Sequence, residues 1–150
     1  MILKTENKTV ELVPTTRKIV TMTKENKAKN LNEYFFSVVN DKNIEGLANI
    51  IYSFAENEDR KGKPFNNVYD VYDFIDTIRS EQNKSYNDLF NELGEAINEM
   101  GFFNEKMTKD QLKSAMDNPM AGLDMKKMIS QSTEKAITDV VSEEFRGYKA

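Results

Sequence analysis

Between Asn30 and Gly101, apolar residues return at steps of three and four almost without a break, and this period constrains the chain more than any other feature. Leu31, Tyr34, Phe35, Val38 and Val39 form the first set, opened by Asn30 and Glu33 in the spacing of a helix cap. A helix with one apolar face is expected there. Ile44, Leu47, Ala48, Ile51, Tyr52 and Ala55 form the second, and Ile50 and Phe54 widen its stripe so far that most of this helix must be enclosed. It is expected to be the central one. After a polar loop from Asn57 through Lys61-Gly62-Lys63-Pro64, Asn67 can cap a helix that buries Val68, Val71, Phe74, Ile75 and Ile78. Ser85 and Asp88 then make a capping box ahead of Tyr86, Leu89, Phe90, Leu93, Ala96, Ile97 and Met100, and Gly101 is the stop.

The flanks differ in character. Ile2-Leu3-Lys4-Thr5 and Thr9-Val10-Glu11-Leu12-Val13, separated by Glu6-Asn7-Lys8, read as a β-hairpin. Two strands alone are marginal, so the hairpin must pack on the helices or extend another chain's sheet, and either solution leaves an edge to manage. Pro14 with Thr15-Thr16 ends the strand and caps a short Lys-rich helix in which Ile19 shares a face with Met22 or Thr23. Beyond Phe102-Phe103, Thr108 to Met116 forms a short helix broken by Asn118-Pro119, and a last long helix is expected from Ala121 to Glu144. The fold class is therefore mainly α: a short N-terminal hairpin, a compact bundle of five to six helices, and a C-terminal helix that protrudes or docks. Residues 1–117 are expected to be the core domain and 118–150 a helical tail.

Subtraction removes several chemistries. The 150 residues contain no Cys and no His, so the usual zinc sites, thiolate nucleophiles, haem and iron–sulfur ligation, and an imidazole base near neutral pH are excluded. The first residues lack the apolar stretch of a signal peptide, and no run approaches the ~18 apolar residues of a membrane span. A soluble intracellular protein without membrane contact is expected. The net charge of −4 has the wrong sign for neutralising phosphates, so nucleic acid is not an expected partner. Charge is unevenly spread, with eight Lys/Arg and five Asp/Glu in residues 1–42, but two and eight in residues 66–99. Solvated faces explain this polarity, and head-to-tail self-association could exploit it.

No constellation combines catalytic residue types with catalytic spacing. Asp70, Asp73 and Asp76 recur every third residue, which smears them around a helix instead of clustering them, and the early ones suit the positive helix N-terminus. Asp41-Lys42-Asn43-Ile44-Glu45-Gly46 matches half of a calcium loop, but Tyr52 stands where a bidentate Glu is required. Ser132-Thr133-Glu134-Lys135 has Ser-x-x-Lys spacing without its companion motifs, and the six glycines form no phosphate-binding loop. A non-enzymatic protein with no metal and no cofactor is expected.

The final helix is the feature that a closed bundle would not need. Met125, Met128, Ile129, Ser132, Ala136 and Val140 share a stripe, with Ile137 and Val141 beside it. If the bundle is already complete by Gly101 or Phe103, this small, Met-rich stripe either packs back on the core or meets another polypeptide. Met125, Met128, Ile129, Ala136, Ile137 and Val140 are accordingly the candidate partner-binding residues.

The order of these elements carries a resemblance. The hairpin, Pro14-Thr15-Thr16-Arg17-Lys18-Ile19-Val20, Leu31-Asn32-Glu33-Tyr34-Phe35-Phe36, Val71-Tyr72-Asp73-Phe74-Ile75-Asp76, the Ser85-to-Gly101 helix with Phe102-Phe103, and the detached segment after Asn118-Pro119 together resemble the tail assembly chaperones of long-tailed, siphovirus-type bacteriophages of Gram-positive hosts. The resemblance implies binding to the tape measure protein, a long aggregation-prone helical chain, which is kept soluble while tail tube subunits assemble around it. It further implies self-association, residence in the cytoplasm of the infected bacterium, and absence from the mature virion. The alternative expectation is an acidic helical adaptor or inhibitor that binds a single host or phage protein through its 66–99 face.

Overall fold

A computed structural model describes residues 1–117, and its architecture is the mainly helical one expected. The chain opens with β1 (Ile2–Lys4) and β2 (Thr9–Leu12), antiparallel with Leu3 opposite Val10. Thr5 closes the turn, its N–H donating to the Lys8 carbonyl at 2.7 Å while its hydroxyl accepts from Lys8 N–H at 3.1 Å. Alternation sends Leu3, Val10 and Leu12 into the core.

Five helices follow, four with caps that the sequence announces and α3 with one at Asn43 that it does not, and α6 adds another. Thr15 caps α1 (Thr16–Glu25), Asn30 caps α2 (Leu31–Asn40), Asn43 caps α3 (Ile44–Phe54), and Asn67 caps α4 (Val68–Gln82), each side-chain oxygen accepting from a backbone N–H three residues on. Asn83 ends α4 in the left-handed region at φ 52°. Ser85 and Asp88 complete a reciprocal capping box on α5 (Tyr86–Glu99). At α6 (Lys109–Asp117), Thr108 and Gln111 exchange the same pair of bonds, at 2.9 and 3.1 Å. Glu33 departs from the expected box: its carboxylate accepts from Lys29 N–H, one residue before the cap, at 2.9 Å.

Helix α3 is central, packing on α1, α2, α4 and β2. Leu47, Ala48, Ile50, Ile51 and Phe54 are all buried. Three expectations are corrected around it. Helix α2 is buried on more than one face, since Phe36 and the polar Asn32 are enclosed along with the expected stripe. Ala55 does not extend α3: the chain turns extended there and forms β3 (Ala55–Asn57), which pairs antiparallel with β2 to give a sheet of order β1-β2-β3. The hairpin thus gains its third strand from within the chain. Met100, placed on the α5 stripe by period, is 37% exposed because the helix has already ended.

The third strand places Glu56 directly opposite Glu11, a like-charge pair that opposes strand pairing. Two cations offset it. Lys18 from α1 donates to the Glu56 carboxylate and, at 2.9 Å, to the Val13 carbonyl, while Arg60 reaches Glu11 at 3.0 Å and Glu56 at 3.5 Å. The free edge of β1 is also managed, since the Gln82 amide donates to the Lys4 carbonyl at 2.7 Å and Glu81 accepts from Glu6 N–H at 2.9 Å.

The core does not close at Phe103, which corrects the expectation of a unit complete by that point. Phe103 stacks on Phe36 with centroids 5.2 Å apart, and beyond it Met107, Leu112, Ala115 and Met116 are all buried in the same cluster. Helix α6 packs on α2 and α5 at Gly94, where a Cβ would lie 2.9 Å from the Met116 sulfur and 3.2 Å from the Phe35 ring. Asn98, itself buried, fastens the connection by donating to the Met107 carbonyl at 2.8 Å and accepting from Met107 N–H at 2.9 Å.

Two outcomes are expected. Asn98→Ala should lower stability by roughly 1–3 kcal/mol for each Met107 backbone group left unpaired, read as a fall in denaturation midpoint; an unchanged midpoint would contradict this closure. Lys18 and Arg60 hold the Glu56 carboxyl below its usual 4.5, the Lys18 hydrogen bond being the largest cause. A depressed folded value means that this contribution is present above 4.5 and is lost as pH falls through the lower folded value. Glu56→Gln should therefore flatten the acid limb of melting temperature against pH.

Candidate functional site

The candidate partner-binding residues Met125, Met128, Ile129, Ala136, Ile137 and Val140 lie outside the described residues, as does Ser132-Thr133-Glu134-Lys135. What the structure describes is the body that precedes them and the surface that body presents.

Its acidic 66–99 region is not one continuous face. Asp70 accepts from Asn66 N–H at 3.1 Å and serves the start of α4. Asp88 accepts from Ser85 N–H at 2.8 Å, and this bond, with the Ser85 hydroxyl, holds its carboxyl below the usual range. Glu92 pairs with Lys84 at 2.9 Å, and Glu81 is engaged on the hairpin turn. These carboxylates have structural partners within their own chain. Asp73 and Asp76 are exposed on α4 and Glu95 is exposed on α5.

The half calcium loop is also absorbed by the fold. Helix α3 begins at Ile44 inside it, and Asn43, the would-be ligand at loop position three, spends its side-chain oxygen on Gly46 N–H at 3.0 Å. Among the described residues no group of three or more acidic side chains is arranged to hold a metal ion. No described helix is long and apolar enough to cross a membrane.

Two surface features escaped the sequence reading. Tyr69, 70% exposed, meets Tyr72 edge to face with centroids 5.7 Å apart on the outer side of α4. On α1, Val20 is 53% exposed between the exposed Arg17, Thr21 and Lys24. The signal was present in the sequence: both Tyr69 and Val20 occupy positions that the helical period of their own elements assigns to solvent. A shallow groove of about 500 Å³ also lies between the β1 end and helices α5 and α6, floored by Met1, Ala96, Met107 and Leu112 and walled by Glu95 and Lys109.

Compared with protein-family models, curated proteins and solved structures, the chain gives no match.

The start of α3 at Ile44 generates a prediction. Adding millimolar Ca²⁺ should leave the melting temperature unchanged, because the Asn43 oxygen and the loop backbone are committed to the helix cap. A rise in melting temperature that disappears in Asp41→Ala, Glu45→Ala would overturn this assignment.

Proposed function

We propose that this chain is a non-enzymatic tail assembly chaperone of a long-tailed bacteriophage, which binds the tape measure protein and keeps it soluble while the tail tube assembles. The observation that carries this reading is a division of apolar surface along the sequence. Hairpin and helices enclose one core running from Leu3 to Met116, and the sequence after Asn118 then continues with a further stripe of helical period. The order of elements in the body is also the order on which the family resemblance rests.

A chaperone for a long helical client needs an adaptable apolar stripe repeated over many copies, so that weak contacts sum to effective masking. Met125, Met128, Ile129, Ala136, Ile137 and Val140 supply such a stripe, with unbranched thioethers that fit irregular partners. On this reading the protein acts in the cytoplasm of the infected host, self-associates, contacts tail tube protein during assembly, and is left out of the virion. The acidic-adaptor alternative is weaker, because Asp70, Asp88 and Glu92 already have partners within the fold.

The test is co-expression with a tape measure fragment, scored as soluble client. Ile129→Asp with Val140→Asp should lower soluble client roughly tenfold or more while the body melts as in wild type, since a carboxylate buried without a partner costs several kcal/mol. Binding of a short tape measure peptide to a single wild-type copy should persist in high salt, where an electrostatic adaptor would release its partner. A double variant that keeps the client soluble removes the stripe from the mechanism.

A further inference from the structure

The exposed stripes of α1 and α4 are complementary in charge and matched in length. On α1, Arg17, Val20, Thr21 and Lys24 recur at three- and four-residue steps, an apolar centre between two cations. On α4, Tyr69, Asp73 and Asp76 are exposed at the same steps, and the half-buried Tyr72, which packs partly on the core, meets Tyr69 edge to face beside the two carboxylates. Each stripe spans eight residues, about 10 Å at the helical rise. Both helices pack against α3, and among the described residues no ion pair joins the two stripes.

We propose that these stripes bind each other between copies of this chain, the α4 stripe of one molecule seating on the α1 stripe of the next. Val20 meets the Tyr69–Tyr72 pair, the cation on its carboxylate side reaches Asp73 and Asp76, and the cation on its other side seats on the exposed face of Tyr69. None of these four charged side chains has a salt-bridge partner among the described residues. Because the two surfaces differ, the contact is heterologous and repeats head to tail, producing an open filament or a ring. This deepens the self-association of the proposed function by naming its contact. Its test measures oligomer mass with no client present, so its failure is distinguishable from failure of the chaperone reading.

The experiment is sedimentation velocity on the full chain over a concentration series. Wild type should form species larger than its 17.3 kDa monomer, and these should dissociate in about 1 M NaCl, where the Debye length is about 3 Å. Asp73→Lys with Asp76→Lys makes both stripes basic, and Arg17→Glu with Lys24→Glu makes both acidic. Each variant alone should associate roughly tenfold more weakly or worse, with a melting temperature showing that it is folded. Mixing the two should restore assembly, since every junction then pairs opposite charges again. A strictly monomeric wild type, oligomers unaffected by either variant, or a mixture that fails to assemble would each overturn the contact.

Discussion

The structure depends on the enclosure of α3. A helix carrying Leu47, Ala48, Ile50, Ile51 and Phe54 has too wide an apolar stripe for a single neighbour to cover, so α1, α2, α4 and β2 are gathered around it. Close approach is part of this enclosure: a Cβ at Gly46 would fall 2.5 Å from a Val38 methyl, so α2 and α3 meet at a distance that only glycine permits. The sheet is recruited by the same constraint, because the chain leaves α3 directly into β3 and pairs with β2. Burying the helix and completing the sheet are therefore one event.

The sheet has an electrostatic condition of its own. Glu11 and Glu56 face each other across the β2–β3 ladder, and the strands can pair because Lys18 from α1 and Arg60 from the following turn bring positive charge to them. Lys18 also donates to the carbonyl of Val13, tying α1, β2 and β3 at one point. Such a link is partly exposed and screened, so its energetic share is modest beside the apolar burial, yet it selects the register in which these strands meet.

A different device closes the far side. The connection from α5 to α6 buries Phe103 and Met107 and is tied down at two points, Asn98 bonding both backbone groups of Met107 while the Asn32 side chain accepts from Asn104 N–H at 2.9 Å. The polar side chains let α6 bring Met116 down onto Gly94 without orphaning the backbone behind it. Val20 and Tyr69 are left exposed by this arrangement, whereas Tyr72, edge to face with Tyr69, packs partly on the core.

Local physics was legible in the sequence. Caps at Thr15, Asn30, Asn67 and Ser85, the stop at Gly101 and the apolar periods of α2 to α5 depend on residues within a few positions of one another, so the sequence alone determined them. The candidate stripe from Met125 to Val140 is likewise a local period. What only the tertiary structure decided involves distant partners. Ala55-Glu56-Asn57 has no strand signal of its own and becomes β3 because β2 offers an open edge. Asn98, which a period reading assigns no role, is buried because Met107 supplies both halves of its amide's hydrogen bonding. Glu81, which reads as part of an acidic face, accepts from the N–H of Glu6 on the hairpin turn, a partner 75 positions away. A side chain's neighbours along the chain set its backbone geometry, whereas its partner in space exists only once the core has brought the elements together.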